Sequence, residues 1–127
     1  MTVFAKSPTY GLEEPINTLQ NILESDLNWS GDINIYGGDI TINNKLEATG
    51  STITLEGSGN ITDGTNGYLV ADNLALLDGT VTLDNALNDV ATIAGSNVDA
   101  ISYTDINALE IETVGSVNGI LSTGLIN

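Results

Sequence analysis

From residue 31 the chain alternates apolar and polar residues in short runs. "DINIYGG", "DITINN", "KLEATG", "STITLEG", "GNITDG" and "GTVTLDN" each carry four or five alternating positions and close on Gly, Asn or Asp. Alternation at period two is the pattern of a half-buried strand, and the closing residues tolerate the left-handed backbone of a corner. The pattern points Ile33, Ile35, Ile40, Ile42, Ile53, Leu55, Val81 and Leu83 inward, and Asn34, Thr41, Thr54 and Thr82 outward. Upstream the texture differs. In "EEPINTLQNILESDLNW", Ile16, Leu19, Ile22, Leu23 and Leu27 fall near helical spacing, with Pro15 in the first turn and Glu13 and Glu14 at the positive end of the dipole. This predicts a helix over Ile16–Glu24, preceded by an irregular arm over residues 1–11.

Three features favour a coiled ribbon over a sandwich or hairpin barrel. Strand-like runs recur every 7 to 11 residues from residue 32 onward, and their corners are single Gly or Asn residues rather than two-residue hairpin loops. Aromatics make up only 5% of the chain, so the core is built from small aliphatics suited to stacked columns. The expected fold is all-β, a parallel β-helix (β-solenoid) with a short N-terminal capping helix. Three strands per coil give rungs of about 20 to 24 residues, the scale of solenoid repeats. Residues 31–127 then hold roughly four rungs rising about 4.8 Å each, and residues 1–30 form the arm and amphipathic cap. An antiparallel sandwich is the competing arrangement. The open edge of a coil templates aggregation unless it is covered, and the helix before the first strand supplies a lid. "GILSTGLIN" brings apolar residues to the other end with no lid, as expected of a truncation or of a surface that meets another copy.

Charge narrows the partners. Seventeen Asp and Glu stand against two Lys, a formal charge of −15. That balance opposes nucleic acid, which is bound by cations neutralising phosphates, and anionic membrane surfaces. With 41% hydrophobic and 15% charged residues the chain is nonetheless foldable. No cysteine is present to staple the fold or act as a thiolate. No signal peptide is legible and no apolar run reaches the ~18 residues of a membrane helix. The chain is therefore either intracellular or a piece of a longer exported protein.

The stretch "LLDGTVTLDNALNDVATIAGSNVDAISYTDINALEIETVGSVNGI" resembles the repeats of filamentous-haemagglutinin-like large bacterial exoproteins. Leu83–Ala94 match a "L-D-x-A-x-N-D-V-A-T-[IL]-A" phrase, Ala100–Val114 a "A-[IL]-S-Y-T-D-x-N-A-L-x-I-x-T-V" phrase, and Val117–Ile120 a "x-V-x-G-I" phrase. The likeness extends over about residues 15–127. It implies a right-handed parallel β-helix in a surface or secreted protein, exported by two-partner secretion and serving adhesion, aggregation or biofilm. The implied localisation is extracellular or on the bacterial cell surface. The implied partners are further copies of the chain, or glycans or proteins on host or neighbouring cells. The family shares no catalytic residues, so the chain is expected not to be an enzyme. A self-assembling filament subunit is the alternative, and a polysaccharide-binding or polysaccharide-active β-helix a more distant one.

The residue chemistry agrees with that order. Glycoside hydrolysis needs two carboxylates about 5 to 10 Å apart; Asp32 with Asp39, or Asp63 with Asp72, are the pairs to weigh, against the plainer reading of soluble corner residues. Lyase chemistry on acidic sugars lacks its cation, since the chain has neither Arg nor His. Calcium prefers hard oxygen ligands, and Asn60, Asp63 and Asn66 in "GSGNITDGTNG" are the candidate set. That segment also reads as a structural turn, and no cofactor is expected. Glu110 and Glu112 share one side of a strand, where a counter-ion or solvent offsets their repulsion. Asn28 and Asn60 satisfy the N-glycosylation pattern. Trp29 is expected to pack the cap, and Tyr36, Tyr68 and Tyr103 either pack on neighbours or line a face that stacks on sugars.

Overall fold

The computed structural model describes residues 2–4 and 26–127. Strands are β1 (Thr2–Phe4), β2 (Leu27–Asn28), β3 (Ile33–Gly37), β4 (Ile40–Ile42), β5 (Lys45–Gly57), β6 (Asn60–Asp63), β7 (Tyr68–Leu77) and β8 (Thr80–Leu83). They continue as β9 (Asp89–Val98), β10 (Ala100–Tyr103), β11 (Glu110–Ile111), β12 (Thr113–Val114), β13 (Val117–Asn118) and β14 (Ile120–Ser122). There is no helix among the described residues, and the expected capping helix over Ile16–Glu24 lies outside them.

Alternation dictates the rest. A strand with one apolar face must bury it, and these strands do so by stacking coil on coil. One sheet runs β1-β3-β5-β7-β9-β11, with β2 also on β5 and β14 on β9; a second runs β4-β6-β8-β10. Every pairing in both sheets is parallel. In the first, Ile33 aligns with Ile53, Ile53 with Leu74 and Leu74 with Ile93, steps of 20, 21 and 19 residues. In the second, Ile40, Ile61, Val81 and Ile101 align at steps of 21, 20 and 20. The chain is a β-solenoid of about five turns. Steps of about 20 sit at the short end of the expected rung, which is why the coils outnumber the four anticipated. The ladder also takes in Leu27–Asn28, and it takes in Thr2–Phe4 from the stretch assigned to an arm.

All eight residues expected inward are buried, none more than 1% exposed. They join Leu46, Leu69, Leu74, Leu76 and Ile93 in one continuous core. Outward positions form columns of their own, clearest in the hydroxyls of Thr41, Thr62, Thr82 and Ser102. The strands are longer than the sequence runs suggest. "KLEATG" and "STITLEG" belong to one thirteen-residue strand, β5, whose register shifts between Ala48 and Thr52. Gly50, at φ 75°, supplies the left-handed residue inside that shift. Corners superpose closely. A Cβ on Gly79 would run into the carbonyl oxygens of Gly57 and Gly59 in the coil before, and its φ of 66° disfavours any other residue.

One element departs from the solenoid. β12 and β13 pair antiparallel, Val114 opposite Val117, across the two-residue turn Gly115–Ser116 with Gly115 at φ 60°. Here the expectation of single-residue corners fails: Gly-Ser flanked by valines is itself a hairpin signal. The hairpin leaves the outermost strand and folds back along the outside of the first sheet. There Val114 and Val117 pack on Ala75 and Ala94, which point away from the main core.

Leu83→Ala or Ile93→Ala removes a fully stacked side chain and is expected to cost ~2 to 5 kcal/mol in denaturant unfolding, whereas Thr82→Ala on the exposed column stays within ~0.5 kcal/mol. Gly79→Ala is expected to lower the melting temperature as severely as the core truncations. Unchanged unfolding in either core variant would refute the stacking assignment.

Candidate functional site

In a parallel stack each strand end leaves backbone N–H groups at the corners that the ladder does not reach. Asp is short enough to reach such an N–H in the adjoining coil, and an ionised carboxylate makes a strong acceptor. Six aspartates do this. Asp26 accepts the N–H of Lys45 (3.0 Å), Asp32 that of Thr52 (2.9 Å) and Asp39 that of Asn60 (2.8 Å). Asp72 accepts Gly50 (3.0 Å) and Asp105 accepts Val90 (3.0 Å). Asp63 is the most committed: Oδ1 takes Asp84 N–H (3.1 Å), while Oδ2 takes Asn85 N–H (3.1 Å) and the Asn88 amide (3.0 Å). The acids hold one coil to the next.

Asp63 opens onto a buried polar corner. Asn88 is fully buried; its Oδ1 accepts Leu69 N–H at 2.9 Å and its Nδ2 donates to Asp63 and to the Leu83 carbonyl. Asn85 donates to the carbonyls of Gly64, Thr65 and Gly67, threading the loop of the previous coil. In the next coil Tyr103 donates its hydroxyl to Asp105 at 2.8 Å. Burial, then the bond and charge of Asp105, push the Tyr103 phenol well above its ordinary range. Lys45, the one cation among the described residues, pairs with Glu47 at 2.9 Å. That bond raises the lysine and lowers the carboxyl.

The residues singled out from sequence are not gathered into one centre. Asn60 opens β6, Asp63 closes it, and Asn66 lies on the following loop, with both Asp63 oxygens already accepting protein hydrogen bonds. Asp32 and Asp39 flank the two ends of the five-residue β3, each serving a different corner. Asp63 and Asp72 likewise serve different corners. Glu110 and Glu112 are both exposed beside the exposed Ile111. Among the described residues no group of three or more acids is placed to hold a metal ion. Asn28 and Asn60 are exposed. Trp29 is 45% exposed, with its backbone N–H on the Glu47 carbonyl and its indole against Gly31. Tyr68 begins β7 beside Lys45 of the coil before, and Tyr103 belongs to the buried corner.

Tyr36 is the exception. Outward residues of the first sheet, Asp32 and Thr52, then Asn34, Thr54 and Ala75, then Tyr36 and Leu77 on either side of Glu56, make the floor and sides of a groove of about 290 Å³. The hairpin residues Val114, Gly115, Ser116 and Val117 complete it. Sequence reading missed the groove, because it needs both the column register and the hairpin; Asp32 and Tyr36 were singled out separately and for other reasons. A second depression of about 320 Å³, around Val70, Ala71, Asp72 and Asp89, is walled by short side chains with no aromatic residue.

Compared with family models, curated proteins and solved structures, the chain finds no match.

Two pH and mutational outcomes follow from the corner chemistry. Asp39→Asn keeps an acceptor for its single N–H and is expected to cost under ~1 kcal/mol, whereas Asp63→Asn turns an amide toward three donors and should cost ~1 to 3 kcal/mol in denaturant unfolding. Because the fold raises the Tyr103 phenol, its contribution is whole below the unfolded-state value near pH ~10 and is lost as pH rises beyond it. Stability should therefore fall above that pH, and Tyr103→Phe should remove this part of the alkaline decline; a decline of equal size in the variant would dismiss the assignment.

Proposed function

We propose that the chain is a structural and adhesive module of a bacterial surface or secreted exoprotein of the filamentous-haemagglutinin-like kind, presenting an acidic solenoid rod to its surroundings. In this reading the ribbon winds right-handed, the sense that parallel crossovers overwhelmingly take. A helix over Ile16–Glu24 covers its first coil, and the rod works outside the cell or on its surface. It binds by its side walls and catalyses nothing. Its partners are copies of itself, or glycans and proteins of another cell, rather than nucleic acid or bilayer, which a charge of −15 repels.

The observation that supports this best is the use made of the acids. Six of them accept backbone N–H bonds between coils, so the carboxylates serve the rod instead of converging on a reactive centre. The filament reading draws on a separate observation. The outermost coil exposes Ile111, Leu121, Leu125 and Ile126, at 58%, 64%, 73% and 49%. Stacking there opposes like charge, so assembly should quicken with salt as screening shortens from ~10 Å at 0.1 M to ~3 Å at 1 M.

Displaying the chain on a non-adherent bacterial cell tests the main reading. Attachment to epithelial monolayers or cell–cell aggregation should rise several-fold over cells displaying an unrelated acidic domain of equal size, and no rise in either would refute it. Light scattering of the purified chain across the salt series separates the second reading: growing filaments support it, and a monomer at every salt concentration removes it.

A further inference from the structure

We infer that the depression beside Asp72 and Asp89 is a binding site for a short aliphatic diamine, two ammonium groups joined by a few methylenes. This goes beyond the adhesive reading and stands without it. Register places the site on the outer face of the first sheet. Val70 of β7 lies beside Asp89 of β9, and two residues further on Asp72 lies beside Ala91. The carboxylates thus take one diagonal of a four-residue patch, and Val70 and Ala91 take the other. Strand spacing and rise set that diagonal at ~8 Å between Cα atoms. Ala71 and Val90, both buried, lie beneath, and Ala108 joins the lining. The cavity measures about 320 Å³, above the ~300 Å³ at which ligand sites begin.

Each carboxylate is fixed by one oxygen and open at the other. Asp72 Oδ1 accepts Gly50 N–H at 3.0 Å and Asp89 Oδ1 accepts the Asn107 amide at 3.2 Å. Among the described residues no donor is spent on either Oδ2. The neutral groups are committed in the same sense. Thr49 donates its hydroxyl to Glu47 Oε1 at 3.0 Å, and Asn107 turns its Nδ2 to Asp89, so toward the cavity both offer oxygen lone pairs. Thr49 adjoins the Gly50 bonded to Asp72, and Asn107 is bonded to Asp89. Acceptors therefore gather at two ends, with an apolar middle between them. No cation lines the cavity among the described residues, and the chain carries −15 overall. The ligand that answers this must donate at both ends and be apolar between. An ammonium group carries three donors and no acceptor, methylenes cover Val70 and Ala91, and a dication matches two carboxylates where a monoamine matches one. A single metal ion fits less well, because among the described residues no third acid joins the pair.

Titration of the full chain at fixed ionic strength, followed by NMR chemical shifts and calorimetry, decides the matter. The probes are putrescine and cadaverine, with n-butylamine as the monoamine control and calcium chloride as the metal control. At least one diamine is expected to saturate and to shift the Asp72, Asp89, Ala91 and Asn107 amides, with n-butylamine about tenfold weaker or silent. Asp72→Asn and Asp89→Asn, which keep an acceptor for the bond each residue makes, should each weaken diamine binding about tenfold. Ala91→Leu, which fills the apolar middle and leaves both carboxylates in place, should abolish it. Asp99→Asn, which removes one charge away from the cavity, should change nothing. Circular dichroism of each variant separates lost binding from lost fold. The assignment falls if neither diamine saturates, if n-butylamine or calcium binds at these amides as tightly, or if Ala91→Leu binds as the parent does. Equal weakening by all three Asp variants, Asp99→Asn included, would reduce the effect to bulk attraction of counter-ions and overturn the site.

Discussion

Each coil of this chain hydrogen-bonds to the coil above and the coil below, and that parallel ladder sets the terms for everything else. Stacking in register requires corners to fall directly over corners. Gly79 therefore sits against the carbonyls of Gly57 and Gly59, and Gly67 lies hard against the carbonyl of Ile42. It also requires apolar columns of like size, which Ile33, Ile53, Leu74 and Ile93 supply. Finally, it leaves amides stranded where the ladder turns. Aspartate answers that last need, so the same constraint that shapes the core accounts for a good part of the acidity. The net negative charge of the chain arises partly from what the backbone asks of its corners.

Much of this was legible in the letters. Period-two alternation identified the eight inward residues correctly, because a face either meets the core or meets water and the choice repeats at every second position, but it divided the thirteen-residue β5 into two runs. The parallel arrangement was legible from what was missing, namely bulky aromatics and paired hairpin residues over most of the chain. Three features were harder to see. The Asp39–Asn60 and Asp63–Asp84 bonds join residues 21 apart, and only the coil period reveals that they are neighbours. Nothing in the local pattern singles out Asn88, which is buried because the corner closes around it from two coils. The groove at Tyr36 unites residues 32 to 54 with residues 114 to 117, a juxtaposition no local pattern encodes.

The walls of such a rod offer partners breadth rather than depth. Outward columns repeat at the strand spacing, so whatever meets one coil meets a related surface on the next. The hydroxyl column of Thr41, Thr62, Thr82 and Ser102 is the plainest instance. Among the described residues, local relief comes from the hairpin beside one groove and from a shallow depression around Val70 and Asp72. This division of labour, a regular scaffold with one excursion laid across it, is how repeat proteins gain individuality without disturbing the stack that stabilises them.

The excursion has a mechanical corollary. Ile111 lies on Ile93 and Ile120 on Gly95, but residues 112–119 have swung out of line between them. The row laid against β9 is thereby split into two residues and then three, in place of one unbroken strand. Short, interrupted strands of this kind twist more freely than long flat ones. The loop that roughens the wall thus also divides the ladder beside β9 into two separately seated pieces.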